Sequence, residues 1–285
     1  MDPDIPLTRV RLDLSYDGSE FSGWAHQREQ RTVQGVLTEA LSTIMRQPIA
    51  LTVAGRTDAG VHATGQVAHY DVPQSIWGRY RDGLRRRLNA VLPADVRVHR
   101  LAEAPAAFDA RFSALGRHYR YRIDNSPESG YDPLRRTDTL SWPRPLDIDA
   151  MNAAADLMLG EHDFAAFCRK KPQGTTIRCL RELRWVRTHD GDASDPAGGT
   201  REILMARVSA DAFCHSMVRS LVGAALAVGE GRCPPEWQGD LLNLQERSSA
   251  VAVAAAHGLT LVRVDYPADS DLAARSLITR RVRER

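Results

Sequence analysis

The 285 residues make enough chain for one large domain or two moderate ones. With 43% hydrophobic and 26% charged residues the balance is that of an ordinary folded protein, which excludes wholesale disorder. The net charge of +2 is too small to commit the whole chain to a polyanion, yet all but two of its 38 basic residues are arginine, a side chain suited to phosphate.

In chain order, Thr8 to Tyr16 alternates apolar and polar residues as a half-buried strand does. Asp17-Gly18-Ser19 turns the chain, and Phe21-Ser22-Gly23-Trp24 carries aromatics expected to be exposed. Thr32 is placed to cap a helix through Met45, with Val33, Val36, Leu37, Ala40, Leu41 and Ile44 at helical spacing. Strands are expected over Ile49–Ala54 and Gln66–Val72, a helix over Ile76–Val91 rich in arginine, and a strand over Val96–Leu101. The β-α-β-β-α-β pattern then recurs. Strands at Arg117–Ile123, Leu180–Thr188, Glu202–Ala210 and Leu259–Tyr266 alternate with helices at Ile148–Leu159 and Cys214–Val228, and Pro234-Pro235-Glu236 starts a further short helix. The expected class is α+β, two ferredoxin-like (RRM-like) halves with antiparallel sheets, at residues 1–109 and 110–267. Residues 268–285 read as a polar, arginine-rich, frayed tail, and the glycine-rich stretch from Asp190 to Thr200 as a solvated loop.

The four cysteines, Cys168, Cys179, Cys214 and Cys233, form no CxxC pair and no metal-like spacing with histidine. We expect reduced cytoplasmic thiols and no metal. The first residues lack the basic start and apolar run of a signal peptide, and apolar runs such as Leu221 to Val228 are too short to cross a bilayer. A cytoplasmic location and no membrane partner follow as expectations.

The stretch with chemical potential is Ala54-Gly55-Arg56-Thr57-Asp58-Ala59-Gly60-Val61-His62-Ala63, a loop between two strands with one carboxylate at its centre. The plain alternative is a type I turn over Thr57–Gly60, for which Asp and Gly are ordinary residues. GxSxG, P-loop and GxGxxG motifs are absent, and His62 and His69 are poorly spaced for a metal. On the strand from Arg117, Arg117, Tyr119 and Tyr121 share one face, an arrangement that either stacks on an unpaired base or packs as core. Arg219 stands in an apolar helix and wants a carboxylate partner. Two other classes remain to weigh: an RRM-type binding module, which needs no Asp58 and here lacks an RNP1-like run, and a nucleoside hydrolase, which needs a second carboxylate.

Taken together, Gly55 to Ala63, Tyr16-Asp17-Gly18 with Phe21 and Gly23-Trp24, Ala110-Arg111-Phe112-Ser113-Ala114 with Tyr119 and Tyr121, Phe213 with His215 and Met217-Val218-Arg219, and His257-Gly258-Leu259 resemble the signature of the tRNA pseudouridine synthase A family. The matches run in family order from about Ser15 to Tyr266. The resemblance implies isomerisation of uridine to pseudouridine in the tRNA anticodon stem-loop, at positions 38, 39 and 40, by a cytoplasmic homodimer using no cofactor and no metal. It implies a catalytic cleft between the halves, with Asp58 as nucleophile, Arg56 and Arg219 as its basic neighbours, Tyr119 stacked on the target base and Leu259 lining the pocket. Departures from the family pattern are Ala25 where Gln often stands, Asp211 where Asn is usual and Ala255 where Pro is typical. None falls in the central stretch.

Overall fold

In a computed structural model, which describes residues 5–125, 132–169, 174–190 and 201–280, the alternation at the start of the chain becomes strand β1 (Leu7–Tyr16). Val10, Leu12, Leu14 and Tyr16 are all buried, as a period of two requires of a strand with one face on a core. Helix α1 (Val33–Met45) follows. Its first turn is capped by Thr32, whose hydroxyl accepts the Gly35 N–H at 3.2 Å, a cap worth about 1 kcal/mol. Val33, Leu37, Leu41 and Met45 form its buried stripe. Strands β2 (Thr52–Val53) and β3 (His62–Pro73) bracket the loop that holds Asp58.

The single helix expected after β3 is instead two, α2 (Gln74–Tyr80) and α3 (Leu84–Val91). They part at Gly83, whose φ of 71° no interior helical residue adopts. Arg79, Arg81, Arg85, Arg86 and Arg87 are all exposed on this pair. Strand β4 (Val96–Ala104) pairs antiparallel with β1, whose other edge pairs antiparallel with β3.

By compactness the chain forms two units, one from the described residues up to 117 with 261–280, the other from 118–260. In the first, the strand order is β4-β1-β3-β10, where β10 is Leu259–Asp265, and β2 pairs with β3 off this path. The expected frayed tail is corrected as far as residue 280: after a short 3-10 turn, α7 (Leu272–Arg280) is a helix. Leu272 is buried, Arg275 Nε donates to the Ala114 carbonyl at 3.2 Å, and Arg280 reaches Asp109 at 3.2 Å while lying over the Phe112 ring. Residues 281–285, which carry the arginines at the end of the chain, and 191–200, most of the expected loop, lie outside the described residues.

The second unit has the order β5-β9-β8-β7, from β5 (Gly116–Asp124), β7 (Gly160–Asp163), β8 (Ile177–Asp190) and β9 (Arg201–Ala210), with β6 (Leu140–Ser141) parallel to β5. Helices α4 (Ile148–Asp156), α5 (Met217–Gly229) and α6 (Pro235–Asp240) complete it. The chain is thus α+β, with strand pairs among the described residues that are mostly antiparallel. Asn152 of α4 ties helix to sheet: its side chain donates to the Trp185 carbonyl at 3.1 Å and accepts the Trp185 N–H at 2.9 Å. Both backbone polar groups of a buried strand residue are satisfied by one amide.

The thiol expectation is also corrected. Cys168 and Cys214 are joined as a disulfide, their Cα atoms 5.8 Å apart, whereas Cys179 and Cys233 are free. Among the described residues no helix is long and apolar enough to cross a membrane.

Candidate active site

The Asp58 loop leaves β2 and is held almost atom by atom. Arg117, itself buried, donates from Nη2 and Nε to the Ala54 carbonyl at 2.8 and 3.3 Å. Gln66 Nε2 donates to the Gly55 carbonyl at 2.9 Å, and the Trp24 N–H donates to the Thr57 carbonyl at 3.0 Å. The Thr57 hydroxyl lies 2.8 Å from the Tyr16 hydroxyl. The turn itself falls one residue later than expected. The Val61 N–H bonds to the Asp58 carbonyl at 3.2 Å, and Gly60 takes a φ of 77° at the third position, the slot that glycine fills in a type II turn.

A second segment, residues 17–24, lies along the loop with no room between. A Cβ on Gly18 would stand 2.1 Å from the Val61 carbonyl oxygen, and one on Gly23, which has a φ of 91°, 2.8 Å from the Thr57 oxygen. The Gly60 N–H bonds to the Phe21 carbonyl, and the Gly18 N–H donates to His62 Nδ1 at 3.0 Å. Phe21 and Trp24, expected to be exposed, are only 3% and 1% exposed. They are the apolar underside of this contact rather than a free surface, so that expectation is overturned. Asp58 is half-buried, and Arg56, two residues earlier, is exposed. Burial pushes the Tyr16 phenol up to about 12, against the opposing pull of its bonds to Thr57 and Gln66.

The other two sequence-derived residues belong to the second unit. On β5 the expected alternation holds: Tyr119, Tyr121 and Ile123 are buried while His118, Arg120 and Arg122 are half-buried. Tyr121 is core, its hydroxyl donating to the Ala255 carbonyl at 2.8 Å. Tyr119 is 8% exposed and meets the Phe213 ring edge to face, centroids 5.2 Å apart. Arg219, in the first turn of α5, donates from Nε to the Ala254 carbonyl at 2.7 Å, and its own carbonyl accepts the Ala254 N–H. Segment 252–258 therefore leans on both α5 and β5. Gly223 and Gly258 permit that approach, because a Cβ would stand 1.9 Å from the Ala252 oxygen in one case and 2.7 Å from the Tyr121 ring in the other. Leu259 is buried. Asp211 is buried and accepts the Cys179 and Ala212 N–H groups at 3.0 and 2.7 Å.

Arg56 and Asp58 thus share one loop of the first unit, while Tyr119 and Arg219 lie on neighbouring elements of the second. Residue patterns alone do not reveal the supports of the loop, Tyr16, Gln66 and Arg117, which meet it from 41, 11 and 63 positions away in the chain. Of the three, only Tyr16 is a member of the signature, and Arg117 is marked only by sharing a strand face with Tyr119 and Tyr121.

The family model described as tRNA pseudouridine synthase matches residues 14–113 and 154–267 of the chain. Among similar curated proteins, the tRNA pseudouridine synthase A of Streptomyces griseus is 57% identical over 279 residues, covering 97% of this chain and 94% of that protein. The protein of the same name from Frankia casuarinae is 57% identical over 278 residues, covering 97% and 96%. That of Mycobacterium leprae is 50% identical over 286 residues, covering 96% and 95%.

If the packing of residues 17–24 on the loop is as tight as the glycine geometry indicates, Gly23→Ala loses stability through both its positive φ and its new contact with Thr57. We expect a cost of about 1–3 kcal/mol, read as a lower midpoint in thermal unfolding. A midpoint equal to that of the unchanged protein refutes it.

Proposed function

Since the chain belongs to the tRNA pseudouridine synthase family, we propose that it isomerises uridine to pseudouridine in the anticodon stem-loop of tRNA, at positions 38, 39 and 40, with Asp58 as the nucleophile. The observation that carries this assignment is the fixed loop: a single carboxylate on a backbone held by donors at the carbonyls of Ala54, Gly55, Thr57 and Asp58 itself. The reaction breaks the N1–C1′ bond, turns the uracil and joins C5 to C1′; C5 gives up its proton and N1 gains one. Nothing is oxidised and no phosphate moves, so the chemistry needs a nucleophile and a means of holding the detached base, and neither metal nor cofactor. Carboxylates are ionised near neutral pH and serve as nucleophiles at either the sugar C1′ or the base C6.

In this proposal Arg56 and Arg219 are the basic neighbours of the reacting carboxylate, Tyr119 stacks on the flipped uracil, and Leu259 lines the pocket. Unstacking the uridine costs a few kcal/mol, which ring and arginine contacts offset. The functional halves are residues 1–109, with the Asp58 loop, and 110–267, with Tyr119 and Arg219, each ferredoxin-like; the working form is a cytoplasmic homodimer. The exposed arginines of α2 and α3 supply a track for the tRNA backbone.

Three measurements test these assignments. Asp58→Asn is expected to abolish tritium release from C5-labelled uridine in tRNA while its unfolding transition stays intact; normal turnover in that variant removes the nucleophile, and free uracil among the products marks a hydrolase. Replacing Tyr119 by Phe keeps the ring and is expected to cost little, whereas Ala lowers turnover by on the order of tenfold or more, the stacking of one base being worth about 1–3 kcal/mol. Equal effects of the two changes count against stacking. Finally, Arg85→Ala and Arg86→Ala are expected to flatten the dependence of log affinity on log salt by about 0.7–0.9 for each phosphate that the variant no longer neutralises. An unaltered slope assigns both side chains to solvent.

A further inference from the structure

Gln66 is fully buried, and two backbone groups of opposite character fix its orientation. Its Oε1 accepts the Val67 N–H at 3.2 Å, and its Nε2 donates to the Gly55 carbonyl at 2.9 Å. A backbone N–H only donates and a carbonyl only accepts, so turning the amide over would set donor against donor and acceptor against acceptor. Nε2 also stands 3.2 Å from the Tyr16 hydroxyl oxygen, to which it donates. The phenol proton needs an acceptor, and an amide nitrogen is not one. Of its two hydrogen-bond neighbours among the described residues, the phenol therefore donates to Thr57 Oγ1, 2.8 Å away. Every bond of the chain then points the same way, from Gln66 through Tyr16 to Thr57, and it ends one residue before Asp58. All three residues are buried, Thr57 at 7% exposure being the least so.

We propose that Gln66, Tyr16 and Thr57 form a one-way donor chain that sets the position of the Asp58 carboxylate, and that Tyr16 and Gln66 are positioning residues for the isomerisation. The proposal rests on the assignment of Asp58 as nucleophile. Gln66 holds the loop at Gly55, and Tyr16 holds it at the Thr57 side chain, so Arg56 and Asp58 lie beside fixed points on the backbone. Burial keeps the phenol protonated well above neutral pH, which preserves the direction of the chain. Arg117 on Ala54 and the Trp24 N–H on Thr57 act on other atoms of the same stretch, so the loop keeps its course when one bond of the chain is removed. Loss of that bond then shifts the reacting group without unfolding it.

The experiment compares Tyr16→Phe, Thr57→Val, Thr57→Ser and the Tyr16→Phe/Thr57→Val double variant in the full chain, with the unchanged protein and Asp58→Asn beside them. Single-turnover pseudouridine formation is expected to fall about 10- to 100-fold in Tyr16→Phe and in Thr57→Val, with KM for tRNA unchanged. Thr57→Ser, which restores the hydroxyl, is expected to restore the rate. The double variant should be no slower than the slower single one, because both changes remove the same bond. Amide hydrogen exchange over residues 55–60 should quicken in Tyr16→Phe and Thr57→Val and stay slow in Thr57→Ser. Unaltered turnover in Thr57→Val, a serine variant as slow as the valine one, or losses that multiply in the double variant overturn the proposal. Failure of the unchanged protein to make pseudouridine removes the functional assignment instead. In that event exchange over 55–60 decides the positioning role alone: quickened by valine and not by serine it stands, and unaltered it falls.

Discussion

The constraint on which the first unit depends is the tying down of a partly buried run of backbone that belongs to no ladder. Between β2 and β3 the chain from Ala54 to Val61 leaves the sheet, and four of its carbonyls find donors within the protein: Ala54 is held by Arg117, Gly55 by Gln66, Thr57 by Trp24 and Asp58 by Val61. A typical hydrogen bond of this kind nets only about 1 kcal/mol, while a buried carbonyl left without one costs about 1–3 kcal/mol. A course that gave up one of these four donors would lose that stabilisation. Apolar contact alone would not choose among neighbouring registers.

That requirement explains the composition of segment 17–24. For Trp24 N to reach Thr57, and Phe21 to receive the Gly60 N–H, the two backbones must touch, and side chains at Gly18 or Gly23 would separate them. Phe21 and Trp24 then cover the contact from below, and Trp24 lies 6.0 Å from the Tyr16 ring. The second unit repeats the principle with different parts. Segment 252–258 lies against α5 and β5 only because residues 223 and 258 lack side chains, and Arg219 and Tyr121 supply donors to the carbonyls of Ala254 and Ala255. In both units the residues assigned to chemistry are next to a place where two backbones meet without side chains between them.

What is legible in the sequence follows from periodicity. Helix α1 emerges within a residue of its expected ends because four buried residues recur every four positions above a threonine cap. Strand β5 is legible by alternation. Where no period exists the expectations fail. Phe21 and Trp24 sit in an irregular segment, so nothing in their spacing tells burial from exposure. Helix α7 buries only Leu272, leaves Leu277 and Ile278 exposed and is otherwise anchored through two arginines, so no buried stripe marks it as a helix. The break at Gly83 is visible as a glycine, but it stands in an arginine-rich run that favours helix. At the site, Asp58 is legible as a carboxylate framed by glycines, whereas its supports are not. Hydrogen bonds from Tyr16 and Arg117 join residues distant in the chain, and side-chain pairing of that kind leaves no periodic trace.

The direction of the Gln66–Tyr16–Thr57 chain also limits what Tyr16 can do. A tyrosine bonded next to the proposed nucleophile invites the role of acid or base, but a phenol serves as a base only after losing its proton, and burial pushes its pKa up to about 12. To serve as an acid it would have to release the proton it gives to Thr57, leaving a phenolate in the same dry surroundings that disfavour it. The amide that approaches it from Gln66 is neutral and offsets little of that cost. Tyr16 is thus confined to the neutral form near neutral pH. Within the proposed donor chain the part left to Tyr16 is geometric rather than that of an acid or base.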